Sequence, residues 1–261
     1  MANTHLALTR AALERLPKTA LHVARNGSKA DVWLAEWPMG SAQRVVIKDF
    51  ARRPLWVRVL GGRYSLLREW RAMVALDDLP EVPKAIARPD ADAIVVEHRA
   101  GTPIKEFTRG EVAPGVLEKI EALVATMHRR GVTHGDLHGA NILVDEQGAI
   151  ALIDWATAGF FGGNPRGAKA ASFRQWCALD ERALAKLKLL HAPHRVTPRE
   201  REILLSGPSC FYRFVKRLRF LFAIVRGKKP SRQWMFAGAE VQRLLQNNEP
   251  NASETDFEEK H

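Results

Sequence analysis

Cysteine is scarce in this chain of 261 residues, which has only Cys177 and Cys210. The two lie far apart among apolar and aromatic neighbours, and their spacing is not that of metal ligands. The sequence therefore gives no indication of a cysteine-based metal site or a disulfide framework. It predicts two reduced, buried thiols and does not require an oxidising compartment.

Long hydrophobic segments are also missing. No run reaches the roughly 18 uncharged apolar residues that a membrane-spanning helix needs. Residues 1–10 lack the basic region followed by a long apolar stretch that marks a secretory signal. We therefore expect a cytoplasmic protein without a spanning helix.

Acidic residues are fewer than basic ones. There are 29 Asp and Glu against 40 Lys and Arg, and the formal net charge is +11. This excess favours anionic partners such as a nucleotide, a phosphorylated lipid, a nucleic acid or a membrane face. Hydrophobic residues make up 46% of the chain, which predicts a globular protein with a proper core, in one domain or two small lobes.

Residues 132–155 hold the most informative pattern in the sequence. Two short apolar runs, 142–144 and 150–153, flank a polar turn, and this arrangement predicts a small β-hairpin. Polar residues lie at both outer ends of the hairpin. Because a hairpin brings its two ends together, we expect these side chains to converge on one small volume.

The polar residues have the chemistry that phosphoryl transfer needs. Asp136 and Asn141 precede the first strand, and Asp154 follows the second. Phosphoryl transfer requires a base near the acceptor hydroxyl and metal ions that bridge the phosphate oxygens. Asp136 is the candidate base, while the amide of Asn141 and the carboxylate of Asp154 suit Mg²⁺. His134 is expected to anchor the backbone near Asp154 rather than to carry protons.

The order of Asp, Asn five positions later, and Asp after the hairpin resembles the catalytic segment of protein-kinase-like enzymes. Gly135 replaces the arginine usual before the catalytic Asp, so control by an activation-loop phosphate is not expected. Ala156 replaces the glycine of Asp-Phe-Gly, and no Ala-Pro-Glu follows. These departures are similar to the compact branches of the superfamily: RIO-type kinases, lipopolysaccharide-core sugar kinases and aminoglycoside phosphotransferases.

The resemblance also implies roles for two residues upstream of the hairpin. Lys48 ends an apolar strand, where the family has its phosphate-pairing lysine. Glu69 lies in the predicted helix 64–76, where the family has the glutamate that holds this lysine. Taken alone, Lys48 could be a solvated strand end, and Glu69 could be a surface charge beside Arg68 or Arg71.

Other residues are assigned to nucleotide binding by the same resemblance. Gly27 and Ser28 lie in a turn between two alternating strands, at the position of the nucleotide-covering loop. Since Gly27 is the only glycine in that turn, an ordinary hairpin is the alternative. At the hinge after the last strand, backbone groups of Glu97, His98 and Arg99 would meet the adenine.

The resemblance implies an α+β, two-lobed protein-kinase-like fold that binds ATP with Mg²⁺ or Mn²⁺ in its cleft. Residues 1–97 would form the N-terminal lobe, with a leading helix, a small antiparallel sheet and one further helix. Residues 98–246 would form a mainly helical C-terminal lobe, including helix 170–190, which is predicted to break near Asp180. Residues 247–261 have almost no apolar content and are predicted to be a disordered acidic tail.

A basic amphipathic helix is predicted over residues 209–226. The simpler interpretation is that its apolar face closes the second lobe while its arginines are solvated. The alternative is that segment 209–229 makes a peripheral contact with an anionic surface at the inner membrane face. Nucleic acid is not favoured, because the aromatic residues do not alternate with base-reading ones.

The acceptor of the phosphate stays open. The stretch 27–30, the His-Gly-Asp motif and the missing activation segment lean toward a RIO-like serine/threonine protein kinase. The basic C-terminal helix and the short second lobe fit a lipopolysaccharide-core sugar kinase at the membrane surface nearly as well. An aminoglycoside kinase is disfavoured by the basic C-terminal region. A third alternative is an ATP-binding pseudokinase scaffold, although every residue that the chemistry requires is present.

Overall fold

The computed structural model describes residues 8–22, 29–108, 110–113 and 115–206. Several features predicted from the sequence lie outside these ranges, namely Gly27 and Ser28, Cys210, the basic segment 209–229 and the acidic tail 247–261. Within the ranges, no helix combines the length and the apolar composition needed to cross a membrane.

A five-stranded antiparallel sheet forms the first part of the fold, with strand order β1-β2-β3-β5-β4. Its strands are β1 (Lys18–His22), β2 (Asp31–Glu36), β3 (Arg44–Asp49), β4 (Ala85–Ala87) and β5 (Ala93–Glu97). Along β3, Val45 and Ile47 are buried on one face beneath the leading helix. Because side chains alternate along a strand, Lys48 emerges on the opposite face.

Helices cover both faces of this sheet. They are α1 (Arg10–Arg15), α2 (Leu55–Val57), a π-helical turn (Arg58–Gly62) and α3 (Arg63–Ala75). On α3 the buried residues Leu66, Glu69 and Met73 recur at helical spacing, so they form one inward stripe. A carboxylate within an otherwise apolar stripe needs a buried partner, and the neighbouring sheet supplies Lys48.

The second part of the fold is mainly helical. Its helices are α4 (Val116–Arg129), α5 (Gly167–His191) and α6 (Pro198–Leu205). Short strands pair between them: β6 (Thr102–Pro103) with β8 (Ile142–Val144), β8 with β9 (Ile150–Leu152), and β7 (Val132–Thr133) with β10 (Gly159–Phe160). The Thr197 side chain caps α6 by accepting from the Glu200 backbone N–H.

The predicted break in the helix near Asp180 is wrong. Helix α5 runs unbroken from Gly167 to His191. Asp180 is buried, and its carboxylate accepts hydrogen bonds from backbone N–H groups outside the helix. The buried carboxylate is thus satisfied without a break in the helix at this residue. Cys177, also on α5, is a free thiol that is only half-buried rather than fully buried as expected.

One hydrophobic cluster joins the two parts of the fold. It includes Leu66 and Met73 from α3, Ile120 from α4, Leu152 from β9 and the fully buried Trp155. Because these residues come from both lobes, the elements that carry the candidate site share one packed interior.

Candidate active site

The hairpin predicted from residues 142–153 is present. Strand β8 pairs antiparallel with β9. The Ile153 N–H donates to the Asn141 carbonyl at 2.9 Å, which extends the pairing beyond β9. At the turn, Asp145 Oδ1 accepts from the backbone N–H groups of Gln147 and Ala149, at 3.0 and 2.8 Å. Asn141 and Asp154 therefore lie at the same end of the hairpin, as the sequence predicted.

Asp154 has an unusual backbone conformation. Its φ of 62° and ψ of 67° are left-handed, and it is the one non-glycine residue with positive φ in the described part of the chain. Such a conformation costs about 1–2 kcal/mol, so the surrounding structure must hold it in place. Trp155 does so, because it is completely buried and its Nε1–H donates to the Leu152 carbonyl at 2.8 Å. The Asp154 side chain stays 51% exposed beside this anchor.

Lys48 connects three elements of the site. Its Nζ lies 2.6 Å from Glu69 Oε1 on α3 and 3.0 Å from Asp154 Oδ1 after β9. Glu69 is only 2% exposed, whereas the Asp154 carboxylate faces solvent. The lysine on the sheet, the glutamate on the helix and the carboxylate after the hairpin thus meet at one point.

The pKa values of Lys48, Glu69 and Asp154 depend on one another. Burial tends to lower the pKa of Lys48, but the charges of Glu69 and Asp154 outweigh it and hold the pKa above its ordinary value. Lys48 in turn lowers the pKa of Asp154. Burial raises the pKa of Glu69 against the opposing effect of the lysine. Lys48 is therefore a stable ammonium group that keeps Asp154 ionised.

Asp136 lies on the loop between β7 and β8. Its side chain is 39% exposed, and His138 Nε2 is 3.9 Å from its Oδ2. The Asn141 amide nitrogen donates to the Asp136 carbonyl at 3.0 Å. This bond fixes the orientation of the buried Asn141 amide and leaves its oxygen as the acceptor atom.

His134 ties the loop to the hairpin. The Asp136 N–H donates to His134 Nδ1 at 3.3 Å, which leaves Nε2 to donate to the Ile153 carbonyl at 3.1 Å. Burial lowers the pKa of His134, so the ring is neutral at physiological pH. The ring packs on Trp155 with 4.9 Å between ring centroids. These contacts are those of the structural anchor that the sequence predicted.

Sequence reasoning missed Asp180 as a residue of this site. It is 1% exposed, and its two carboxylate oxygens accept the backbone N–H groups of His134 and Gly135, each at 2.8 Å. His128 Nε2 lies 3.2 Å from the same carboxylate. Helix α5 thereby holds the loop immediately before Asp136. The only signal for this role in the sequence is that Asp180 is an acidic residue within an otherwise apolar helical pattern.

The donor set at the end of the hairpin fits a magnesium or manganese ion. Asn141 offers an amide oxygen and Asp154 a carboxylate oxygen, the ligand types that hard cations prefer. In the described ranges, no three His, Cys, Asp or Glu side chains form a group that could hold a metal. An ion held by Asn141 and Asp154 would therefore take further ligands from phosphate oxygens and water.

The predicted hinge residues are held against the sheet. The N–H groups of Glu97 and His98 donate to the carbonyls of Lys84 and Arg44, at 2.9 and 3.1 Å. The Arg99 guanidinium contacts Glu97 Oε1 at 3.2 Å and the Pro80 carbonyl at 2.7 Å. Two of the three backbone donors at the hinge are thus used within the protein. An adenine bound there would therefore contact the backbone carbonyl groups of these residues and the Arg99 N–H.

Comparisons with known proteins agree with this geometry. Residues 5–160 match the phosphotransferase enzyme family, APH. The probable SapB synthase of Streptomyces coelicolor is 31% identical over 204 residues, a match that covers 66% of this chain and 21% of that protein. The chain thus spans about a fifth of the length of this curated relative.

A solved structure is similar over most of the chain. It is the Rio2 kinase-ADP/Mg²⁺-phosphoaspartate complex from Chaetomium thermophilum, with a TM-score of 0.52 and 18% identity. The match covers 94% of this chain and 76% of the other. At this identity the likeness concerns the fold alone, and it confirms the predicted two-lobed, protein-kinase-like α+β fold.

Proposed function

Because this chain belongs to the phosphotransferase enzyme family, we propose that it transfers the γ-phosphate of ATP to a hydroxyl group. The observation that carries this proposal is the double contact of Lys48 with Glu69 and Asp154. It brings a fixed positive charge and a candidate metal ligand together within 3.0 Å, where the phosphates of a nucleotide need both.

Each residue of the site has a role in this proposal. Lys48 pairs with phosphate oxygens, and Glu69 fixes its position. Asn141 and Asp154 would hold Mg²⁺ or Mn²⁺, and the bound ion would neutralise developing charge on the phosphate oxygens. Asp136, with its partly exposed carboxylate, accepts the proton of the acceptor hydroxyl as the oxygen–phosphorus bond forms and the bond to ADP breaks.

The nucleotide contacts proposed for Gly27 and Ser28 and for the hinge residues Glu97, His98 and Arg99 rest on the family resemblance. The same is true of the boundary between the two lobes after Glu97. The proposed hinge lies at that boundary, so the adenine would bind where the chain passes from one lobe to the other.

For the acceptor we propose a serine or threonine hydroxyl of a protein. The features in favour are the stretch 27–30, the His-Gly-Asp motif and the absence of an activation segment with Ala-Pro-Glu. A lipid-linked sugar is the competing acceptor, favoured by the basic segment 209–229. Contact of that segment with a membrane stays a prediction.

Transfer of radioactive label from γ-labelled ATP tests the proposal. Wild type and Asp136→Asn are incubated with Mg²⁺ or Mn²⁺ and with membrane and soluble fractions of the source cell. We expect transfer by wild type and a loss of at least about 100-fold in Asp136→Asn, because the proton acceptor is gone. ADP binding should be nearly unchanged, since Asp136 acts in the transition state. Glu146→Gln, an exposed carboxylate at the far turn of the hairpin, is the matched control.

The outcomes separate the alternatives. Label in protein, made by wild type and Glu146→Gln only, supports the protein acceptor, whereas label in lipid replaces it with a lipid-linked sugar. Binding of ADP without any transfer would overturn the enzymatic proposal in favour of a scaffold. Equal transfer by wild type and Asp136→Asn would remove Asp136 from the mechanism.

A further inference from the structure

Arg68 makes a contact between the lobes that the proposed reaction does not use. It lies on α3 directly before Glu69. Its Nε donates to the Ala158 carbonyl at 2.6 Å, and a second guanidinium nitrogen donates to the Thr157 carbonyl. One turn earlier on α3, Ser65 Oγ lies 3.4 Å from the Ala156 carbonyl. Helix α3 is thus bonded to the segment that follows Asp154.

Aromatic rings surround the Arg68 guanidinium. Its central carbon lies 5.5 Å from the ring centroid of Tyr64 and 5.6 Å from that of Trp176, which belongs to α5. Trp176 also packs on Gly135, where an added Cβ would lie 2.7 Å from the indole ring. The guanidinium is therefore held by hydrogen bonds and cation–π contacts next to the loop that carries Asp136.

The acceptors of Arg68 are carbonyls at the end of a single turn of 3₁₀-helix, residues 155–157. Carbonyls at the end of such a turn have no partner within it and carry partial negative charge. A guanidinium presents several N–H groups in a fixed plane, so it can satisfy two neighbouring carbonyls at once. One side chain thereby fixes the position of α3 relative to the segment after Asp154.

The contacts of Arg68 also affect the position of Glu69, the next residue on α3. Glu69 can contact Lys48 only while α3 stays close to the sheet and to Asp154. We propose that Arg68 is a positioning residue. Its hydrogen bonds to the Thr157 and Ala158 carbonyls, called here the lock, hold α3 close to the sheet and so keep the Glu69 carboxylate in contact with Lys48. The lock needs no added phosphate, because both acceptors are backbone carbonyls.

The inference rests on the proposed function for its kinetic test. Arg68→Met removes the guanidinium and its hydrogen bonds and keeps an unbranched apolar side chain. Arg71→Met, at an exposed position on the same helix, is the matched control. We expect Arg68→Met to lower kcat for label transfer by about 10- to 100-fold, because two charge-assisted bonds are lost, and Arg71→Met to stay within about twofold of wild type.

A double variant tests whether Arg68 acts through Glu69. In a Glu69→Gln background the contact with Lys48 is already weakened, so adding Arg68→Met should cost less than about threefold in kcat. An equal loss in both backgrounds would show that Arg68 stabilises the fold independently of Glu69, and the inference would be overturned. Activity of Arg68→Met equal to that of Arg71→Met would also overturn it.

Amide hydrogen exchange tests the lock without any activity. Exchange at residues 155–158 and along α3 should rise in Arg68→Met and not in Arg71→Met. If wild type transfers no phosphate, the proposed function fails, and exchange alone then decides the inference. Should Arg68→Met not fold, Arg68→Lys replaces it: a single ammonium nitrogen takes the place of two guanidinium nitrogens in a fixed plane, so a loss of about threefold or more in kcat is expected, and an unchanged kcat would contradict the lock.

Discussion

The charge of Lys48 stabilises the protein interior, whatever its proposed contact with a nucleotide contributes. Glu69 is almost fully buried, and Lys48 is its partner at 2.6 Å. A buried carboxylate without a partner is costly, because neither water nor a counter-charge stabilises it. The same lysine that would meet phosphate therefore also stabilises the fold.

A prediction about pH follows for Lys48→Met. Without the lysine, the pKa of Glu69 should rise further above its ordinary value, because the charge that opposed the effect of burial is gone. A carboxylate with a raised folded pKa contributes stability that is present at low pH and is lost as pH rises through that pKa. We expect Lys48→Met to lower the free energy of unfolding by about 3–5 kcal/mol at pH 7.5 and by clearly less at pH 5.

Urea unfolding at the two pH values measures this effect. The double variant Lys48→Met with Glu69→Gln removes the buried charge, so it should recover part of the stability at pH 7.5 and lose the pH dependence. A deficit of Lys48→Met that is equal at both pH values would mean that its cause is lost packing rather than the unpaired charge of Glu69.

At the scale of the element, helix α5 supports the loop that precedes Asp136. Asp180 lies within this helix, and its carboxylate accepts from the N–H groups of His134 and Gly135. An amide in its place would turn an NH₂ group toward one of these donors. Asp180→Asn should therefore lower the free energy of unfolding by about 1–3 kcal/mol, as expected when a buried donor loses its acceptor. It should lower kcat as well, because the loop is no longer fixed.

Thermal and urea unfolding together with label transfer check this prediction. Glu181→Gln changes an exposed carboxylate at the next position of the same helix and should have neither effect. If Asp180→Asn were as stable and as active as Glu181→Gln, the loop would be held by other contacts.

Much of this architecture could be predicted from short-range patterns. The hairpin of β8 and β9 and the helix α3 follow from period and turn chemistry, which involve neighbouring residues only. Asp180 and Arg68 could not be found in this way. Asp180 acts on a loop 45 and 46 positions away, and Arg68 on carbonyls 89 and 90 positions away. The type of a residue does not show whether its backbone carbonyl accepts a hydrogen bond, so the acceptors of Arg68 could not be identified from the sequence.

At the scale of the whole molecule, the two lobes share one hydrophobic cluster with residues from α3, α4 and the hairpin. A nucleotide at the proposed site would contact Lys48 from one lobe and Asp154 from the other. A ligand that binds only the folded state raises its stability, and here it should do so for both lobes together. Unfolding should therefore remain a single transition when the nucleotide is bound.

The last prediction concerns stability with ADP and Mg²⁺. At about 100 times the dissociation constant, the gain should be about 2.7 kcal/mol, which corresponds to several degrees in Tm at roughly 2–4 °C per kcal/mol. Scanning calorimetry of wild type with ADP, with and without Mg²⁺, measures it. Asp154→Asn should lose most of the increment due to Mg²⁺, because a neutral amide replaces the metal-binding carboxylate, whereas Glu146→Gln should keep it. An equal increment in both variants would place the ion elsewhere, and the absence of any shift would argue against the nucleotide site.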